Sequence, residues 1–288
     1  MVLEPFENHH RVRLPARLDD HTATPYGVAL IKWSELWNVN VEKGEVEMIA
    51  LGTDLHGVAS DQRSLYWLGR FDNGQYSYRS RETKSLRSFA PLGQQHGLAV
   101  GDAPYGVAEK GAVWRIGKRH LSLVHGPHWH GRGSAWIVAG DGVVVTQVFD
   151  SETLTWHLWR VVGRKAEKLG FKAPCIECAD LDMEGRLVLV QEGKIQLLGL
   201  RAKAPRTLFE SADTSAICWC GRDICTLSKD AGEIRRHRRL SEQYTVIAAD
   251  VGPTRRISCS SKYVSWAYRD GEEDVVHVAS LDLGRMKK

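Results

Sequence analysis

Short runs rich in Val, Ile, Leu, Trp and Tyr recur along the chain, broken every few residues by Gly, Asp, Asn or Lys. The runs have strand length, and helix-period patterning is scarce. Segment 65–93, LYWLGRFDNGQYSYRSRETKSLRSFAPLG, predicts a strand, a tight DNG turn, a second strand, a turn and a third strand. Asn and Gly suit that turn because both tolerate positive φ. The segments VVVTQVFDSETLTWHLWRVVGRKAEKLGF and KIQLLGLRAKAPRTLF have the same shape.

The pattern repeats. PYGVA occurs at 25–29 and again at 104–108, and HGVA at 56–59 has a counterpart HGLA at 96–99. Taking the first residue of the strand that follows as a marker gives Tyr26, Leu65, Tyr105, Val143, Arg186, Ile224 and Val264, spaced by 39, 40, 38, 43, 38 and 40 residues. Units of roughly 41 residues are the period of a four-stranded propeller blade. Over its whole length the chain resembles the β-propeller superfamily, by period and strand pattern, without the Trp-Asp dipeptide or double Gly of specific blade types. The resemblance implies an all-β, single-domain chain over 1–288: a seven-bladed β-propeller of four-stranded blades. The last unit stops after three strands, so the N-terminal strand VLEPFE is expected to pair with the last blade and close the ring. The first unit is polar at its innermost strand, RLPARLDDHTATP, which leaves a six-bladed ring with an N-terminal extension as the alternative.

Composition adds little to this and removes several options. No segment is long and apolar enough for a membrane span, and the N-terminus has no secretory-signal pattern, so the expected location is cytoplasmic. The six cysteines fall between 175 and 259 and are then expected to be reduced, packing as small hydrophobes between blades. Cys175-Ile-Glu-Cys178 and Cys218-Trp-Cys220 lack the paired spacing of a structural zinc site. Neither a GxSxG nucleophile motif nor a phosphate-cradling GxxxxGK[ST] occurs. A net charge of +4, from 39 basic and 35 acidic residues, argues against nucleic acid as the partner.

In a propeller the innermost strands line a central channel, and ligands generally sit where those strands begin. An ungapped alignment on His56 superposes Arg17, His56, His96, Ser134, Glu177, Ser215 and Arg255, all polar. The loop HGPHWHGRG adds His125, His128, Trp129 and His130 at the same mouth. A water-filled channel mouth favours polar residues even where they have no site role; beyond that reading, two functional ones stay open. In one, Arg17, His56, His96, Trp129, His130 and Arg255 bind a small molecule or peptide, with the rims free for a protein partner. In the other, His56, His96, His128 and His130 hold a divalent metal and Glu177 is a general base, because several neutral imidazoles with open positions suit a catalytic metal. In site placement alone, the chain is similar to the seven-bladed lyases of the virginiamycin B type and to oligogalacturonate lyases. That similarity implies a metal-assisted lyase or hydrolase using His56, His96 and His130. Whether the chain is an enzyme stays undecided on these residues, and so does the presence of a cofactor beyond that metal.

The turns are sorted by charge. Turns between second and third strands carry Asp72, Glu109, Asp150, Glu152, Glu192, Asp230, Glu233 and the run Asp270 to Asp274. Turns between third and fourth strands carry Lys43, Arg81, Lys84, Lys118, Arg119, Arg164, Lys165, Arg201 and Lys203, and RRHRR at 235–239 ends a third strand. The sorting predicts a disc with an acidic rim on one face and a basic rim on the other.

Overall fold

The structure, a computed structural model, describes residues 1–6, 9–15, 17–52, 54–61, 64–70, 76–80, 87–88, 95–108, 112–116, 121–125, 136–140, 142–150, 155–170, 178–254 and 256–282. Among them there is no α-helix and no helix long and apolar enough to cross a membrane. Successive strand residues point to opposite sheet faces, and both faces are covered here: in Glu273–Ser280, the consecutive residues Val275 to Ala279 are all essentially buried.

The chain is an all-β propeller. Six antiparallel four-stranded sheets follow one another along it, spanning 18–51, 54–88, 95–125, 136–168, 179–210 and 214–248. We number these the first to sixth sheets. The second strand of each begins within one residue of its sequence marker, as Gly27, Leu65, Pro104, Val143, Leu187 and Asp223 do. The DNG turn at 72–74 lies outside the described residues.

A further sheet differs from the expected four strands. It has five, in the order Val2–Phe6, His9–Leu14, Glu273–Ser280, Tyr263–Asp270 and Ile257–Cys259, and so joins both ends of the chain. The strand that meets the C-terminal part is His9–Leu14, with His10 opposite Val278 and Leu14 opposite Asp274. VLEPF, expected in that place, lies one strand further out, with Val2 opposite Arg13 and Phe6 opposite His9. Burial accompanies the order: Val12 and Leu14 are wholly buried among Val28, Leu30, Val39, Val276 and Val278, which pins His9–Leu14 in the inner place.

Apolar clusters between neighbouring sheets carry the ring round. Leu55 and Trp67 of the second sheet pack on Ile31 and Leu36 of the first, Leu187 and Leu189 of the fifth on Val143 and Val145 of the fourth, and Trp266 and Val264 of the composite sheet on Cys225 and Ile247 of the sixth. One seam is also covalent. A disulfide joins Cys218 to Cys259, Cα atoms 5.9 Å apart, against the expectation of reduced thiols. Their separation of 41 residues is about one repeat, so folding brings them onto adjacent inner strands. Closing such a loop stabilises by about 4 kcal/mol through the unfolded chain. Cys220 and Cys225 are buried free thiols, with sulfurs 2.9 Å apart.

At one end of the channel, neighbouring sheets touch backbone to backbone. A Cβ at Gly101 would lie 2.0 Å from the carbonyl oxygen of Gly140, and one at Gly140 would lie 2.3 Å from that of Asp182. Asp102 completes the contact: its amide donates to the Gly140 carbonyl (3.3 Å), and its Oδ1 accepts from the Gly142 amide (3.1 Å). Gly140→Ala should therefore destabilise the protein by about 1–3 kcal/mol, read as a lower urea midpoint at unchanged m-value.

The composite sheet is held by an aromatic and imidazole cluster. His9 Nε2 and His277 Nδ1 lie 2.7 Å apart and share a hydrogen bond. His277 stacks on Trp266 and Tyr268, and Phe6 meets both histidines edge-on. Four of the five strands contribute. Burial, followed by the nearby charges, lowers His9 to about 4, and burial with the neighbouring His9, Arg11 and Arg13 lowers His277 to about 3. Both folded values lie below the ordinary 6.5, so the unfolded chain binds protons first. Stability from this cluster is complete above pH 6.5 and falls as the pH drops towards 4, a loss of roughly 3 kcal/mol for each histidine. His277→Phe keeps the ring stack and removes one titration. It should flatten the acid limb of a plot of unfolding free energy against pH.

Candidate functional site

The inner strands begin with a shared irregularity. In the second, third and sixth sheets the register skips one residue, and the bulged residues are His56, His96 and Ser215. The strands carrying His56 and His96 are neighbours, with Gly57 packed near Leu98. In the first sheet the bulge falls between Leu18 and Asp20, so Asp19 occupies the equivalent place, not Arg17 as the ungapped alignment expects. Arg17 precedes the strand and is 79% exposed, its Nε 3.8 Å from Asp19 Oδ1. The first unit divides its residues differently between strand and turn, Thr24 facing Gly27 where Ser60 faces Leu65, and an ungapped alignment cannot register that. The side chains of His56, His96 and His125, and all of His128, Trp129, His130, Ser134, Glu177 and Arg255, lie outside the described residues. Among the described residues no group of three or more His, Cys, Asp or Glu side chains is set to hold a metal ion.

Inner strands of every sheet line one central cavity of about 770 Å³. Its described walls run from Asp20, Gly57, Gly97 and Arg256 to the far ends of the strands, where Asp61, Asp182 and Ser261 stand. The strands place one residue at the same depth from sheet to sheet: Thr22, Ala59, Ala99, Val138, Asp180, Cys218 and Ser258. Small side chains at this level keep the cavity open.

The polar members tie sheets together where no strand ladder connects them. Asp20 accepts from the Val58 amide (3.1 Å) and from the Arg256 guanidinium (2.5 Å), joining three sheets. Asp180 Oδ2 accepts from the Trp219 amide (2.7 Å), Oδ1 accepts from the Leu181 amide (2.8 Å), and the Asp180 carbonyl accepts from the indole N–H of Trp219 (3.2 Å). Ser258 Oγ accepts from the Ala23 amide (3.0 Å). Burial raises the Asp180 carboxyl from 3.8 to about 6, against the pull of its two amide donors. A cleft carboxyl shifted towards neutrality marks a candidate site.

Asp20, Asp180 and Arg256 were not singled out from the sequence. The available signal was phase: Asp180 stands where most other units carry a small apolar residue, three positions after Glu177. Infrared spectra should show a protonated-carboxyl band titrating near pH 6 that vanishes in Asp180→Asn. A band that persists in the variant would assign the shift to another group.

No family model matches the chain, and no curated protein matches it. Solved structures do. A chain of the Mitotic Checkpoint Complex is 12% identical, with 95% of each chain covered and a TM-score of 0.66. The β-propeller domain of the Trilobed protease from Pyrococcus furiosus, described as having an open velcro topology, is 12% identical over 89% of this chain and 92% of that one, TM-score 0.60. A xyloglucanase from Xanthomonas campestris is 13% identical over 90% of this chain, with a TM-score of 0.60, and the chain spans 43% of its length. At these identities the likeness is one of fold, and the uses of the fold differ from one neighbour to the next. What the chain shares with them is the β-propeller.

Proposed function

We propose that the protein is a binding module, a rigid ring in which the composite sheet serves as the seventh blade. Its central cavity receives a polar ligand carrying amine or guanidinium groups, either a small molecule or a basic side chain of a peptide. The observation that carries this reading is the cavity wall. Its volume of about 770 Å³ suits a small ligand. Its described lining has four carboxyl groups, Asp20, Asp61, Asp180 and Asp182, against the single guanidinium of Arg256. Carboxylates accept hydrogen bonds and offer no donors when ionised, so a donor-rich cation is the complementary guest. Asp182 is committed to its own turn and to Arg186, Asp20 to Arg256 and Val58, and Asp61 to Ser64 and Tyr66; Asp180, raised to about 6, is the carboxyl whose charge a bound cation would most change. A protein partner is in keeping with the neighbour from the Mitotic Checkpoint Complex, itself part of an assembly.

The test is calorimetric titration with agmatine, spermidine and, as a neutral polyol, maltotriose. Saturable binding of an amine, stronger at pH 7.5 than at pH 5 because Asp180 ionises between them, supports the reading. Asp180→Asn should abolish that pH dependence. Preference for maltotriose, or heat from none of the three, would overturn it.

A further inference from the structure

Antiparallel strand order puts the turns between third and fourth strands on the same face as those between first and second strands. On that face, three consecutive sheets carry exposed cations. Arg164 and Lys165 sit at the turn of the fourth sheet, Arg201 and Lys203 at that of the fifth, and Arg238 and Arg239 at that of the sixth. Among the described residues none of these six has an ion pair, whereas Arg160, Arg186, Arg235 and Arg236 of the same sheets all do. Among the described residues of these three sheets, the acidic side chains on this face are mostly paired: Glu167 with Arg160, Asp182 and Glu184 with Arg186, and Asp223 with Arg236, while Glu242 is exposed.

The turns are braced. Buried Arg160 reaches from the fourth sheet to the fifth and donates to the carbonyls of Gly199 (3.1 Å) and Ala202 (3.0 Å), which fixes the turn bearing Arg201. In the sixth sheet, Asp223 Oδ1 accepts from the Arg239 amide (2.9 Å). Arg239 and Leu240 are held there in the left-handed region, at φ 53° and 59°. Non-glycine residues adopt that conformation at a cost, and here it turns the Arg238 and Arg239 side chains outward into solvent. Exposed apolar side chains lie between the cations: Val162 at 42%, Leu200 at 36% and Met183 at 57%.

We infer that this arc docks an acidic, amphipathic segment of a partner protein, its carboxylates on the six cations and its aliphatic side chains on Val162, Leu200 and Met183. The cations are preformed and unpaired, so a partner's carboxylates replace only water. The apolar groups decide against a nucleic acid. Single-stranded bases need open aromatic faces, and the exposed aromatic beside the arc, Tyr244, is covered by the Arg235 guanidinium 4.6 Å from its ring. The inference is independent of the cavity reading.

Fluorescence anisotropy with a labelled peptide of alternating Glu-Glu-Leu-Leu blocks tests it on the full chain. We expect saturable binding that weakens with salt. Two separate variants, Arg201→Glu with Lys203→Glu and Arg164→Glu with Lys165→Glu, should each weaken it about tenfold or more. Lys43→Glu, on the same face but outside the arc, should leave it unchanged. A peptide in which every Leu is replaced by Ser should bind more weakly. Four outcomes would overturn the inference: no binding, equal loss in Lys43→Glu, a DNA oligonucleotide that outcompetes the peptide, or self-association abolished by the same charge reversals, which would make a second copy the occupant.

Discussion

The whole architecture rests on one pairing between residues far apart in sequence: the strand His9–Leu14 laid against Glu273–Ser280. Each of the six regular sheets is local, made of neighbouring stretches of chain. None of them closes anything. Without the long-range pair, the first sheet would present the apolar face around Val28, Leu30 and Val39 to water, and Val276 and Val278 would be equally bare. Hydrophobic area drives the seam together, but area is not selective about register. Selection comes from the His9–His277 hydrogen bond and the rings of Phe6, Trp266 and Tyr268 around it, because only one register brings two imidazoles to 2.7 Å.

The same economy governs the centre. Asp20, Asp180 and Ser258 line the cavity and also stitch one sheet to the next through backbone amides. A residue with both tasks is constrained in orientation, which is useful for recognition, since a guest meets acceptors already held in place. It also means that the polar surface of the cavity cannot be altered freely. Replacing Asp20 removes an acceptor for Val58 and a partner for Arg256 together, and the ring loosens along with the site. Asp180 is the more separable of the two, because an amide side chain preserves one of its acceptor sites.

Much of the fold was legible because a blade is a local object. Hydrophobic runs, turn residues and a fixed period locate second strands to within a residue, as Leu65 and Val143 illustrate. The errors arose where tertiary context overrides pattern. VLEPF looks more strand-like than HHRVRL, yet the buried face of the latter, with His9 paired to His277, takes the inner position. RLDDHTAT is polar for an innermost strand because Asp20 is consumed by Val58 and Arg256, neither of which is near it in sequence. An ungapped alignment puts Arg17 in the ring of channel residues in place of Asp19, because the lengths of the first strand and its turn differ between units without leaving a mark in composition. The disulfide was hidden for a related reason: the separation between Cys218 and Cys259 means nothing until it is recognised as one turn of the repeat.

The order of the strands also sets a timetable. As the chain leaves the ribosome, each regular sheet has its own four strands within about 40 residues of each other and can form when its last strand emerges. His9–Leu14 is among the first strands made, yet its partner is among the last. While residues 15–272 are being made, the nascent protein is therefore an open arc with His9–Leu14 unmatched and one apolar sheet face uncovered. Val2–Phe6 is already beside His9–Leu14, paired through a two-residue link, and shields its outer edge from stray chains during that wait. A fifth strand that adds nothing to the channel thus acts as a guard for the strand that does the closing.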